Sequence, residues 1–222
     1  MPLPQHSGVL FDCDGTLVDT LGDAMGSFMY AFEQVGSGAL PEGDLRHRFG
    51  QSADKILLQL IGDQAKAHEA FGHYLEHQTK LAQSAPLHAG IRELLDQLRQ
   101  AGVPLGLVTG RHALDLELIL KPHDLAPYFA VLVADSQLAR PKPAPDGLLL
   151  ACNTLGLDPA RTLYVGDSVN DLLAAHAAGC VPVAALWDGL ANEEELAAGK
   201  PACLARVPAD VKRFAWELWG RG

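Results

Sequence analysis

Two carboxylates, Asp12 and Asp14, stand two residues apart in the stretch Phe11-Asp12-Cys13-Asp14-Gly15-Thr16-Leu17-Val18-Asp19-Thr20, directly after the apolar run Val9-Leu10-Phe11. Such a run reads as the end of a short buried strand, and period-2 spacing aims both acids to one side of its tip. Gly15 then lets the backbone turn away. Two acids so placed repel each other unless a cation lies between or beside them. The stretch therefore calls for a hard metal ion and offers a nucleophilic carboxylate.

Three more polar clusters follow apolar runs. Thr109-Gly110-Arg111 ends one; Asp135-Ser136 ends another and leads into Arg140-Pro141-Lys142-Pro143; Gly166-Asp167-Ser168-Val169-Asn170-Asp171 ends a third. In an open α/β sheet the chemistry gathers at the carboxyl ends of the strands. On one sheet these tips would bring together four carboxylates (Asp12, Asp14, Asp167, Asp171), the Thr109 hydroxyl, free amides beside Gly110, and the Lys142 cation held between prolines. That inventory suits phosphoryl transfer. Carboxylate oxygens select Mg²⁺, which keeps waters and leaves room for a phosphate oxygen. A carboxylate is a competent nucleophile toward phosphorus, and a hydroxyl, an amide and a lysine can hold the non-bridging oxygens. Any single Asp at a strand end also fits a helix cap or turn, and capping is the plain alternative for Asp171 and Ser168; four clusters in order at four strand tips do not reduce to capping.

The elements that must position these residues are legible from periodicity. Strands are predicted at 7–12, 104–109, 129–134, Thr162–Gly166 and 181–186, alternating with helices at Ile91–Gln100, Ala113–Leu120, Asp146–Leu155 and Val169–Ala178. Repeated alternation implies an α/β fold with a doubly wound parallel sheet. Residues 193–222 add a helix, a short strand near 202–204 and a terminal helix carrying Phe214 and Trp216. From 19 to about 85 the pattern is helical throughout, at 23–34, 44–49, Ala53–Ile61 and Gln64–Leu81, with breaks at Gly36, Gly38, 41–43 and Gly62. A block of this kind straight after the first strand is a lid candidate. The expected division is a core of 1–18 and 87–222 and a helical cap of 19–86.

Composition narrows the function classes. The 222 residues are 48% hydrophobic, with 17 Lys and Arg against 27 Asp and Glu and a formal charge of −10. This suits a globular enzyme and excludes a nucleic-acid or anionic-membrane surface. Any phosphate pocket must then depend on a metal and a few placed cations. Cys13, Cys152, Cys180 and Cys203 show no CxxC spacing, so neither a disulfide framework nor a zinc site is signalled. Without a charged n-region and apolar h-region, or an apolar run of roughly 20 residues, the expectation is a cytoplasmic protein.

With these motifs in place, the sequence resembles the haloacid dehalogenase superfamily, specifically its phosphoglycolate phosphatase-like members with a helical C1-type cap and a Rossmann-like core. The specific parts are Asp12-x-Asp14-Gly15-Thr16-Leu17-Val18-Asp19 and Gly166-Asp167-Ser168-x-x-Asp171, supported by the spacing from Pro86 to Thr109 and the Lys142 loop. The resemblance implies a Mg²⁺-dependent hydrolase of a small phosphomonoester, phosphoglycolate-like, acting through an aspartyl-phosphate. Its partner would be a small-molecule ester, and the protein a monomer or homodimer. Asp12 would be the nucleophile; Asp14 would protonate the leaving group and then activate water. Thr109, Gly110 and Lys142 would hold phosphate. Asp12, the backbone carbonyl of Asp14, and Asp167 would hold the metal, with Asp171 in an outer shell or orienting the lysine.

Two rivals remain at this level, a β-phosphoglucomutase-like phosphosugar mutase and a catalytically silent ligand-binding domain. The mutase branch carries His where this chain has Ala24, and the retained acids and lysine speak against silence. One departure is Gly110, where the family has Asn; Arg111 is the candidate to supply the missing contact. Arg46 and Arg48 are candidate substrate contacts from the cap, an exposed helix face being the plain alternative. His73 and His77 have i,i+4 spacing without the HExxH order. Trp187, after the fifth strand, is read as packing.

Overall fold

Alternate residues of the central strands serve two different layers, and this alternation decides which side chains reach the site. The computed structural model describes residues 4–38, 40, 45, 48, 51–82, 84–189 and 191–220. Its strands β1 (Gly8–Phe11), β2 (Leu105–Thr109), β3 (Val131–Ala134), β4 (Thr162–Gly166), β5 (Val181–Ala185) and β6 (Cys203–Ala205) form one parallel sheet in the order β3-β2-β1-β4-β5-β6. Val9 and Phe11 join Leu105, Leu107, Leu163 and Val165 in one apolar cluster. Leu10 joins Val108, Val133 and Tyr164 in the other. Such runs, buried on both faces, are what a parallel sheet covered by helices requires.

The α-helices among the described residues are α1 (Leu21–Gln34), α2 (Ala53–Ile61), α3 (Gln64–Leu81), α4 (Ile91–Gln100), α5 (Ala113–Leu120), α6 (Asp146–Leu155), α7 (Val169–Ala178), α8 (Glu193–Ala198) and α9 (Pro208–Leu218). α4 buries Ile91, Leu94, Leu95 and Leu98, the apolar face visible in its sequence, against the first cluster. α6 and α7 close the second cluster with Leu148, Ala151, Ala174 and Ala175. The predicted elements differ from these only at their ends. The strand expected to begin at 104 begins at Leu105, because Pro104 has no N–H to give the ladder. The strand expected from 129 begins at Val131, after a 3₁₀ turn at Ala126–Tyr128. The helix expected over 44–49 lies outside the described residues, apart from Leu45 and Arg48. No helix among the described residues is long and apolar enough to cross a membrane.

α1, α2 and α3 build a core of their own, with Phe28, Phe32, Ile56, Leu57, Phe71 and Tyr74 packed together. The chain enters and leaves this helical insert side by side. Val18 pairs antiparallel with Leu87, the Asp19 N–H donates to Pro86 O at 2.9 Å, and the His88 N–H donates to Leu17 O at 3.0 Å. The insert also docks on the sheet layer. Asp135, buried at the tip of β3, accepts from the Ser52 N–H at 2.8 Å and pairs with Lys55 Nζ at 2.9 Å. That carboxylate sits at the amino end of α2, where the unpaired amides favour an anion.

Candidate active site

The strand order reverses direction between β1 and β4, and that switch point is where an open α/β sheet leaves a crevice. Phe11 lies level with Val165 across these two strands, and the Asp12 N–H continues the ladder to Val165 O at 2.9 Å. Asp12 and Asp167 therefore leave neighbouring tips almost in step. Thr109 ends β2 on the other flank. The cleft above is about 90 Å³. Asp12, Asp14, Gly110, Arg111, Lys142 and Asp167 line its floor, and apolar Leu21, Ala24, Phe28, Ala53 and Ile56 line its roof from the insert.

Asp12 is the centre of a buried ion pair. Lys142 Nζ lies 3.0 Å from Asp12 Oδ1 and 2.6 Å from Asp171 Oδ1, and it donates to the Tyr164 hydroxyl at 3.2 Å. Tyr164 in turn donates to Val108 O at 2.9 Å. Burial alone would pull the lysine pKa down, but Asp12 and Asp171 outweigh it and hold Lys142 above its ordinary value. Asp171 also accepts from the Ser168 N–H at 3.1 Å and Ser168 Oγ at 2.6 Å, while the Asp171 N–H returns a bond to Ser168 Oγ at 3.3 Å. Ser168 and Asp171 thus do cap α7, and Asp171 orients the lysine with its remaining oxygen.

Asp12, Asp167 and Asp171 each place a carboxylate oxygen within 4.8 Å of the others. Burial is the largest influence on Asp12 and, against Lys142, pushes its carboxyl up to about 7, with Asp171 and Asp14 adding to the rise. Burial first, then Asp171 and Asp12, push Asp167 well up too. A cation held between the two would relieve both. The backbone makes room for this: Gly15 has φ +66°, and a Cβ there would meet Asp167 Oδ2 at 2.4 Å. Thr16 Oγ1 donates to Asp167 Oδ1 at 3.0 Å. A hard, all-oxygen donor set of this kind fits Mg²⁺. Asp171, with both oxygens already engaged, stands behind it.

Asp14 faces the other way. Its carboxylate takes Arg111 Nε at 2.9 Å and Arg111 Nη2 at 2.6 Å, and it also accepts the Thr20 hydroxyl. Arg111 is buried, and its Nη1 lies 2.7 Å from Asp115 Oδ1. Burial opposes its charge, but Asp115 and Asp14 outweigh that and raise the guanidinium further. The Tyr74 hydroxyl, from α3, donates to Asp115 Oδ2 at 3.4 Å. Thr109, buried, accepts the Arg111 N–H on Oγ1 at 3.2 Å, leaving its own proton to give.

The remaining candidates divide. Arg46 lies outside the described residues. Arg48 donates to Gln59 Oε1 on the exposed side and is not part of the cleft wall. His77 Nδ1 lies 2.9 Å from Ser27 Oγ and its ring stacks on Tyr30, while His73 lies 3.4 Å from Glu76. Trp187 packs on the first cluster and also donates to Thr16 O at 2.9 Å, tying its loop to the motif around Asp14. Sequence reasoning missed Tyr164, Asp115 and Tyr74. Tyr164 carried one signal, a phenol inside a strand buried on both faces, where the hydroxyl must find a partner. Asp115 carried another, its i,i+4 spacing from Arg111.

Comparison with known proteins agrees with this geometry. Residues 9–185 match the family described as haloacid dehalogenase-like hydrolase. The phosphoglycolate phosphatase of Yersinia pseudotuberculosis is 32% identical over 213 residues, covering 92% of this chain and 90% of that one. The phosphoglycolate phosphatase of Xanthomonas campestris is 31% identical, covering 94% of each. The crystal structure of a predicted phosphoglycolate phosphatase from Haemophilus somnus superposes with a TM-score of 0.83 at 25% identity, over 95% of this chain and 98% of the other. CbbY from Rhodobacter sphaeroides, in complex with phosphate, shares the fold at a TM-score of 0.81 and 23% identity, over 93% and 96%. The chain belongs to the haloacid dehalogenase-like hydrolases, and to the phosphatases among them.

Proposed function

We propose that the protein is a Mg²⁺-dependent phosphomonoester hydrolase that works through an aspartyl-phosphate on Asp12. Residues 19–86 act as a cap over a core of 1–18 and 87–222. The observation that carries the reading is Asp12 itself, buried between the Lys142 ammonium at 3.0 Å and the Asp167 carboxylate over the Gly15 turn. When Mg²⁺ is held by Asp12, Asp167 and the backbone carbonyl of Asp14, it supplies neutralisation of the phosphoryl charge.

The chain's own groups do the rest. An Asp12 oxygen attacks phosphorus, and the bond from phosphorus to the ester oxygen breaks. Asp14 gives its proton to the departing alkoxide. Lys142, the Thr109 hydroxyl and the Gly110 amide hold the non-bridging oxygens. Asp14 then takes a proton from water as that water attacks the phosphorus on Asp12, which regenerates the Asp12 carboxylate and frees inorganic phosphate. Asp171 and Tyr164 keep Lys142 in place throughout. The apolar roof formed by Leu21, Phe28 and Ile56 excludes bulk water during the first step. The small cleft suits a small metabolite, and the curated relatives point to a phosphoglycolate-like ester.

The test is release of inorganic phosphate from a panel of small esters, with Mg²⁺ and with chelator. Metal-dependent release that vanishes in Asp12→Asn is the expected result. No release from any ester, or full activity in Asp12→Asn, overturns the reading; an isomerised sugar phosphate in place of free phosphate makes the protein a mutase.

A further inference from the structure

We propose that Arg111, anchored by Asp115 and through it by Tyr74, is a positioning residue that fixes the rotamer of Asp14 and relays docking of the helical insert to it. The inference rests on the reading of Asp14 as the proton-transfer group.

Of the two cations on the cleft wall among the described residues, each serves one carboxylate of the pair Asp12 and Asp14. The Lys142 ammonium is a point charge beside Asp12. The Arg111 guanidinium is a planar fork, and it grips Asp14 through two nitrogens. Asp14 sits on a turn with 23% of its side chain exposed, so without the fork it is free to rotate toward water. Arg111 has no such freedom. Only 4% of its side chain is exposed, and its third nitrogen is held by Asp115, itself 1% exposed. The clamp is therefore stiffer than the residue it holds.

The contacts on Asp14 are also unequal. Oδ1 takes Nη2, Nε and the Thr20 hydroxyl, while Oδ2 takes only the shared Nε. The less committed oxygen is Oδ2, and it is the atom left to carry the proton toward a leaving oxygen. Two of the supports come from the insert or its neck. Thr20 stands where the chain enters the insert, and Tyr74 lies on α3 and reaches Asp115 Oδ2. Phe71, one turn earlier on α3, packs its ring 5.0 Å from that of His112 at the start of α5. Undocking the insert removes the Tyr74 bond and admits water to Asp115, which loosens the fork on Asp14.

The experiment compares an ester whose leaving group needs a proton with one whose leaving group does not. For the wild type, Asp14→Asn, Arg111→Gln, Asp115→Asn and Tyr74→Phe, kcat and KM are measured on 2-phosphoglycolate and on 4-nitrophenyl phosphate. The ratio of the two kcat/KM values is taken within each preparation: it reports transfer to Asp12 rather than the later hydrolysis common to both esters, and it does not depend on the fraction folded. Arg111→Gln is expected to lower kcat/KM on the alkyl ester by about 100-fold and on the aryl ester by less than about fivefold, since a positioned general acid contributes 10² or more only where a proton is required. Asp115→Asn and Tyr74→Phe should move the ratio the same way, by roughly tenfold and roughly threefold. If Asp14→Asn shows this selectivity but Arg111→Gln lowers kcat/KM on both esters equally, the positioning role is overturned and the function stands. An unmoved ratio in Tyr74→Phe overturns the relay from the insert. If Asp14→Asn itself shows no selectivity, or the wild type turns over neither ester, the reading of Asp14 falls and the inference with it.

Discussion

The two acids that open the site are two residues apart, yet they belong to networks of opposite character. Around Asp12, the network among the described residues comes from the sheet layer: Lys142 from the loop before α6 pairs with it, and Asp171 from α7 and Tyr164 from β4 hold that lysine. Around Asp14, the partners reach outward, from Arg111 through Asp115 to Tyr74 on the insert, and to Thr20 at its neck. The first network is nearly sealed, with Asp171 wholly buried; the second keeps its carboxylate partly in water. A group that forms a covalent bond to phosphorus profits from a fixed environment. A group that must exchange protons with both an ester and water needs a supported but reachable one. The division of labour proposed for Asp12 and Asp14 thus matches which elements supply their partners.

Breaking the sealed side should do the most damage to turnover. Asp12→Asn is expected to lower phosphate release on the order of 10⁴-fold or more, measured at saturating ester and Mg²⁺. An enzyme that lost only tenfold would show that the Asp12 network is not the covalent centre. Next in size is Lys142→Met, which leaves Asp12 and Asp171 buried without their cation and should destabilise the fold by about 3–5 kcal/mol in urea titrations. Arg111→Met should cost less, about 2 kcal/mol, because one of its two carboxylates can turn to solvent. Equal losses would erase the contrast between the networks.

The proposed Mg²⁺ site offers a further way to separate the two sides. Mg²⁺ at about 100 times its dissociation constant should stabilise the protein by about 2.7 kcal/mol, read as a rise in Tm. Asp167→Asn should abolish that rise and Arg111→Gln should keep it. The smallest effect belongs to the docking contact outside both networks. Lys55→Ala removes a half-exposed partner of Asp135 and should cost about 1 kcal/mol of stability.

Much of this was legible before any coordinates. The helix Ile91–Gln100 shows its apolar face in Ile91, Leu94, Leu95 and Leu98, and the strand tips announce themselves by apolar runs that stop at Asp12, Thr109 and Asp167. What was not legible was where polar side chains turn after leaving those tips. Asp135 stands at a tip like the others but turns to Ser52 and Lys55 at the amino end of α2, since helix amides there attract an anion. Arg111 stands beside the tip at Thr109, yet it commits to Asp14 and Asp115, because a guanidinium this buried needs carboxylate partners to offset its desolvation. Tyr74 is 37 positions upstream of Arg111 in sequence, and no local pattern links a cap helix to a residue it meets only after folding.

The antiparallel pairing of Val18 with Leu87, flanked by the bonds from Asp19 to Pro86 and from His88 to Leu17, makes the insert a graft with a single narrow stem. Both ends of the 68 residues from 19 to 86 meet at one ladder rung, so the sheet receives the whole block as an enlarged turn. An insertion of that form disturbs its host little. It makes the block exchangeable: a different helical segment joined at the same rung would keep Asp12, Lys142 and Asp167 where they are and change only what covers them. Of the acids lining the cleft, Asp14 is the one tied to that stem, through Thr20, so in such a chimaera the proposed proton-transfer group would feel the exchange before the proposed nucleophile did.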